Sequence, residues 1–175
     1  MEEAKGQIYQ INVKHETEGE RGIPKFPIKS ALVSLDGVMG DFNRYRTENN
    51  GRDPDSALLL IPYETIQQLN EEGWPINIGD LGENITTFGL DYDSFQVGNR
   101  YLLGFGKELE IQISRACTAC KNLASLPYVG DKIAEFVRTL TWKEGDDVKN
   151  RRGWYARVLK EGQIETGGLI ERIIK

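Results

Sequence analysis

The sequence predicts a mainly β protein with small peripheral helices, organised as one domain over residues 1–175. Three observations carry that expectation. Residues 108–114 alternate cleanly, with Leu109, Ile111 and Ile113 on one side and Glu108, Glu110 and Gln112 on the other, which is the period of a half-buried strand. Residues 56–62 (SALLLIP) form a short continuous apolar run, as expected of a strand buried on both faces. Helical periodicity is confined to two stretches, residues 63–72 and 130–140.

In chain order, residues 6–14 place Tyr9, Ile11 and Val13 on one face of a first strand, and residues 28–35 form a second. "LGENITT" at 81–87 reads as a short strand entered through a turn. Residues 99–105 put Tyr101, Leu103 and Phe105 on one face, and "GFGKE" at 104–108 turns the chain, so residues 99–114 make a β-hairpin. Residues 154–159 and 163–174 are expected to pair with each other around "KEGQ". The first helix carries Ile66 and Leu69 on one side and stops at Gly73, with Pro75 soon after. The second carries Ile133, Phe136, Val137 and Leu140 at helical spacing, with Asp131 as its N-cap. Residues 117–126 read as a helical turn or loop, and residues 36–53 and 143–152 as polar loops.

Composition narrows the function. A chain of 175 residues, 39% hydrophobic and 28% charged, buries a core without disulfide staples. A net charge of −5 argues against a nucleic-acid binder. The longest apolar runs, such as 57–62, fall far short of a membrane span. "MEEAKGQIYQINV" at the start lacks an apolar signal-peptide core, and two cysteines are too few for a secreted disulfide scaffold. A cytoplasmic location with reduced thiols is the expectation. His15 is the single histidine, which argues against a Ser-His-Asp triad or a multi-histidine metal site.

Both cysteines lie in "SRACTACKNL", as Cys117 and Cys120. A C-x-x-C is a redox disulfide, half a zinc site, a nucleophilic thiol with a neighbour, or an inert buried pair. A redox motif belongs at a strand-to-helix turn in a βαβ unit, whereas this one follows the second strand of a hairpin. A zinc site needs about four ligands, more than two cysteines and one histidine supply, so no metal is expected from a Cys/His cluster. A reactive thiol needs positive charge nearby, and Arg115 and Lys121 flank the pair. "NRRGWYARVL" at 150–159 brings Arg151, Arg152 and Arg157 together with Trp154 and Tyr155. Arginine forks bind phosphate, and aromatic faces stack on rings; the alternative is a loop feeding a strand whose aromatics pack in the core. "GDLGEN" at 79–84 supplies glycines for tight turns, with Glu83 and Asn84 placed to orient a ligand or to hold the loop. "GFGK" lacks the full phosphate-loop pattern and is explained by a hairpin turn.

Taken in order, these pieces resemble the MOSC family, named for the C-terminal domain of molybdenum cofactor sulfurases, and within it the small stand-alone bacterial members. The resemblance runs from about residue 23 to residue 174. It rests on "GIPKFPIKSALVSLDGVMGD", "NGRDPDSALLLIPYETIQQLNEEG", "GDLGENITTFGLD" with "FQVGNRYLLG" after it, "LEIQISRACTAC" and "RRGWYARVLKEGQIETGG". It implies a β-barrel-like fold and a cysteine that carries sulfur as a persulfide, the cysteine being Cys120, with Cys117 as a secondary one. It also implies binding of, or transfer to, molybdenum cofactor (molybdopterin), with a sulfur donor protein as a partner. Pyridoxal phosphate is not implied. Arg115, Lys121, Arg151, Arg152 and Arg157, with Trp154 or Tyr155 and with Glu83 and Asn84, are the candidates to meet the phosphate and fused ring.

The chain departs from the family where histidines are common. Those places read Phe42-Asn43 and Glu48-Asn49-Asn50, and the proline usual before the cysteine is Ala119. Three functions are therefore carried forward: a sulfur carrier or sulfurtransferase acting on molybdenum cofactor, a non-catalytic cofactor-binding module or subunit in the reduction of N-hydroxylated compounds, and an interaction domain that has lost its ligand.

Overall fold

The computed structural model describes residues 4–44, 46–47 and 51–174. Seven strands close into a barrel: β1 (Lys5–Val13), β6 (Ile85–Phe88), β5 (Leu58–Pro62), β11 (Trp154–Lys160), β8 (Leu109–Ala116), β7 (Arg100–Leu103) and β13 (Leu169–Arg172), with β13 returning to pair with β1. All pairs are antiparallel except β5 with β6. β2 (Phe26–Ile28) extends the sheet beyond β1. A second small sheet joins β3 (Ser30–Ser34) to β4 (Gly37–Val38) and to β12 (Gly162–Glu165), and β9 (Thr141–Glu144) pairs with β10 (Asp147–Asn150).

The continuous apolar run of β5 has its explanation in two cores. Leu58 and Leu60 point into the barrel with Ile85, Tyr101, Ile111 and Ile170. Ile61 points outward, into a layer formed with Ile66 and Leu69 of α1 (Tyr63–Glu71) and Phe136 and Leu140 of α2 (Ile133–Leu140). A strand covered on both faces has no polar side to show. Burying side chains of this size fully stabilises by roughly 1.5–3 kcal/mol each, so this strand anchors both layers. The β7–β8 hairpin forms as expected, with Leu109, Ile111 and Ile113 buried in the barrel.

Six details differ from the sequence expectations, the first being that β4 pairs with β3 inside the stretch 36–53 that reads as a polar loop. Tyr9 faces outward, 42% exposed, while Ile8 and Ile11 are buried. The β1–β6 register shifts between Ile8 and Gln10, and an extra residue in a strand breaks its alternation. Phe105 lies beyond the end of β7 in the turn and is exposed, unlike Tyr101 and Leu103. The two segments around "KEGQ" do not pair with each other: β11 joins β5 and β8, β12 joins β3, and β13 closes the barrel between β7 and β1. Residues 141–150 hold the β9–β10 hairpin instead of a loop. The N-cap of α2 is Lys132, without a side-chain cap, because Asp131 sits inside a short 3-10 turn (Gly130–Lys132) that precedes the helix.

Candidate functional site

The site is built where the end of β8 leaves the barrel beside β11. The chain from Cys117 to Cys120 is irregular and then enters a 3-10 turn, Lys121–Ser125. Both ends of the segment are fixed. The Cys117 N–H donates to the Gly153 carbonyl at 2.8 Å, the Asn150 side-chain amide donates to the Cys117 carbonyl, and Leu123 is buried in the helical layer with Ala119 packed against it. Gly153 permits the close approach of this corner to β5: its φ is +123°, and a Cβ there would lie 2.6 Å from the Leu60 carbonyl oxygen. The two cysteines are free and differ in setting: Cys117 is buried and Cys120 is exposed.

Arg152 joins them. Its Nη1 donates to the Thr118 carbonyl at 2.7 Å and lies 3.4 Å from Cys120 Sγ. The guanidinium is buried, and no carboxylate pairs with it among the described residues. Burial works against its charge, but Cys117, Cys120 and Tyr155 raise its pKa above the ordinary arginine value, so it stays a cation. Burial together with Cys117, which also shares a hydrogen bond with it, raises the pKa of Tyr155.

Cys120 and Arg152 line a cavity of about 780 Å³, within the roughly 300–1,000 Å³ typical of small-molecule sites. Among the described residues its charged lining is one-signed: Arg21, Lys25, Arg44, Arg115, Lys121 and Arg152, with no Asp or Glu. Tyr155 adds an aromatic wall, and Arg115, opposite it across the β8–β11 register, lies 5.0 Å from its ring centre. Lys25 is the most firmly held cation. Its Nζ donates to Asp41 Oδ1 at 2.6 Å, to Oδ2 at 2.7 Å and to the Phe42 carbonyl at 3.2 Å. Burial lowers its pKa, and Asp41 opposes that shift.

"GDLGEN" forms the support behind Lys25. The Gly79 N–H donates to Glu83 Oε1 at 2.6 Å and the Lys25 N–H to the Gly79 carbonyl at 2.9 Å. Only glycine fits: φ is +94°, and a Cβ at Gly79 would lie 2.2 Å from the Lys25 carbonyl oxygen. The Asn84 amide donates to Asp41 Oδ2 at 2.8 Å, while its Oδ1 accepts from the Leu59 N–H at 3.2 Å. Glu83 is fully buried with Oε2 unpartnered, and burial pushes its pKa up to about 7. Asp41, the Asp of the Gly-Asp pair, is therefore the hub to which Lys25 and Asn84 both bind.

Comparison with known proteins places this architecture. The family model described as "MOSC domain" matches residues 46–171. The chain belongs to the MOSC family. Among the relatives, an uncharacterized protein YflK of Bacillus subtilis is 28% identical over 154 residues, spanning 87% of this chain and 63% of that protein. The chain thus covers less than two thirds of that relative's length. The crystal structure of YiiM from Geobacillus stearothermophilus matches 97% of this chain and 75% of its own, with a TM-score of 0.62 at 26% identity. The YUAD protein of Bacillus subtilis shares the fold over 99% of both chains, with a TM-score of 0.70 at 17% identity.

In this MOSC chain the structure brings together Cys120, Arg115, Lys121 and Arg152 at the cavity. It sends other sequence candidates elsewhere. Arg151 forks onto Glu72, with Nη1 to Oε1 at 2.5 Å and Nη2 to Oε2 at 2.8 Å. Arg157 pairs with Asp55 at 2.5 Å. Trp154 donates its indole N–H to the Tyr92 carbonyl at 3.1 Å and packs on the barrel core, because strand alternation turns it away from the face that Tyr155 occupies. Glu83 and Asn84 stand behind the cavity wall and not in it. Of the family's histidine places, Phe42 is buried and its backbone carbonyl accepts from the Lys25 ammonium, Asn43 lines the cavity, and Glu48, Asn49 and Asn50 lie outside the described residues. Sequence reasoning missed Arg21, Lys25 and Arg44. Lys25 sits inside "GIPKFPIKS", a stretch that served only as a family marker. No helix among the described residues is long and apolar enough to cross a membrane.

Proposed function

We propose that this MOSC protein carries sulfur as a persulfide on Cys120 and acts on molybdenum cofactor, its substrate, at the cation-lined cavity. The observation that carries the reading is the Arg152 guanidinium 3.4 Å from the exposed Cys120 sulfur, at the edge of that cavity. A persulfide is anionic near neutral pH, and a buried cation without a carboxylate partner stabilises such an anion. The cavity also suits the cofactor. Arg21, Lys121 and Arg115 face its phosphate, and Tyr155 offers a ring wall to a fused heterocycle. Cysteine 117 is shielded from the cavity, and its contacts with Tyr155 and the 150–153 loop give it a supporting place.

Loading exchanges one sulfur–sulfur bond for another. The Cys120 thiolate attacks the outer sulfur of a donor persulfide, and the donor thiolate leaves. The test is intact-mass spectrometry after incubation with a cysteine desulfurase and cysteine, on the parent protein and on Cys120→Ser. A gain of one sulfur atom that Cys120→Ser abolishes supports the carrier. No added sulfur, with tight cofactor binding by both forms, overturns it in favour of a binding module, and failure of both leaves an interaction domain.

A further inference from the structure

The six cations of the cavity are concentrated in a chain whose net charge is −5. Lys25 is matched by Asp41 and Arg115 by Asp53. Arg21, Lys121 and Arg152 have no carboxylate partner among the described residues. Arg152 is buried and has no carboxylate to offset its lost hydration; its Nε has no hydrogen-bond partner among the described residues. The thiol beside it lies on the wall of a concave, positively charged basin, where the field of the walls concentrates small anions.

A surplus of this kind answers a particular chemical difficulty. A thiolate attacking a neutral disulfide needs little help from surrounding charge. A thiolate attacking a dianion is opposed by repulsion between the reactants, and a dianionic leaving group must then be held. Cations placed around both partners offset the repulsion and stabilise the departing charge. A hollow lined by cations suits a small dianion that enters it.

The geometry points to a second, small-molecule source of sulfur for Cys120: an inorganic sulfane-sulfur oxyanion of the thiosulfate class. The inference rests on the sulfur-carrier reading and names what loads the cysteine. The Cys120 thiolate attacks the terminal sulfur of thiosulfate. The donor's sulfur–sulfur bond breaks, a new one forms at Cys120, and sulfite leaves with the electron pair. One thiolate and one thiosulfate dianion give one Cys120 persulfide anion and one sulfite dianion, with no oxidant or reductant consumed. Arg152 holds the reacting sulfur of Cys120, and Lys121 and Arg21 meet the oxyanion end.

The experiment uses the full, reduced chain with thiosulfate as the probe. It reads released sulfite, the mass of the protein, and turnover to thiocyanate when cyanide is added to take the sulfur from the persulfide. The expected result is one sulfur gained on Cys120 for each sulfite released, and none in Cys120→Ser. Arg152→Gln lowers kcat/KM for thiosulfate by about tenfold or more. Lys121→Gln, at an exposed position, raises KM for thiosulfate several-fold with a smaller effect on kcat, which separates the role of charge from any folding defect in Arg152→Gln. If thiosulfate yields neither sulfite nor added sulfur while a cysteine desulfurase still loads Cys120, the inference is overturned and the carrier reading stands. If neither donor loads Cys120, both fall. An unchanged KM in Lys121→Gln overturns the assignment of the oxyanion to these cations.

Discussion

Two walls of one cavity are built in opposite ways. Behind Lys25, the "GDLGEN" wall is buried and densely bonded: Asp41 holds Lys25 and Asn84, Asn84 reaches β5, and Glu83 holds the Gly79 turn. Around Cys120, the wall is a short irregular segment tied down at Cys117 and Leu123, with its sulfur exposed and a single guanidinium against it. The most patterned motif in the sequence therefore supplies architecture, and the least patterned segment presents the chemistry. Backbone geometry demands particular residues, such as a glycine at Gly79, and so leaves a strong motif; presenting a thiol to a cavity demands only one cysteine and one nearby cation.

The contrast breaks first at Asp41. Asp41→Asn strands the buried Lys25 ammonium without its counter-charge, and is expected to destabilise the protein by about 3–5 kcal/mol, read as a lower midpoint in urea denaturation. A change under 1 kcal/mol would show that this wall is not the rigid one. The same wall sharpens through pH. Glu83 has its folded pKa raised by burial to about 7, above the ordinary 4.5. The folded state therefore binds a proton that the unfolded chain has released. The stabilisation is full below about pH 4.5 and is lost as pH rises towards 7, by up to about 3 kcal/mol. Glu83→Gln is expected to remove that slope between pH 4.5 and 7, measured as the difference in unfolding free energy from the parent chain. Cys120→Ser, in contrast, alters neither the midpoint nor the slope.

The smallest effect separates two neighbouring arginines. Arg151 forms a partly exposed pair with Glu72, so Arg151→Gln is expected to cost about 0.5–1 kcal/mol and to leave sulfur loading of Cys120 unchanged. A loss of loading in that variant would move the functional cation away from Arg152.

Local patterns reveal what neighbours in sequence decide. The alternation of Leu109, Ile111 and Ile113 marks β8 because only one of its faces meets the barrel interior. The run at Leu58–Pro62 marks β5 because cores press on it from both sides. The closure of β13 onto β1 joins residues at opposite ends of the chain, and no local signal encodes it. The β9–β10 hairpin is mostly exposed along both strands, so hydrophobic periodicity has nothing to report there. At the site, the family resemblance singled out Cys120 from the cysteine pair, and residue type offered Arg151 and Arg152 without deciding which of them turns inward. That choice depends on the corner at Gly153 and on Glu72, which lies far away in sequence.

The most direct measurement is peptide-level mass spectrometry of the sulfur-loaded protein, comparing the parent chain with Cys117→Ser and Cys120→Ser. The expected result is one added sulfur on Cys120 in the parent and in Cys117→Ser, and none in Cys120→Ser. Sulfur found on Cys117, or persisting in Cys120→Ser, would contradict the assignment of Cys120 as the carrier.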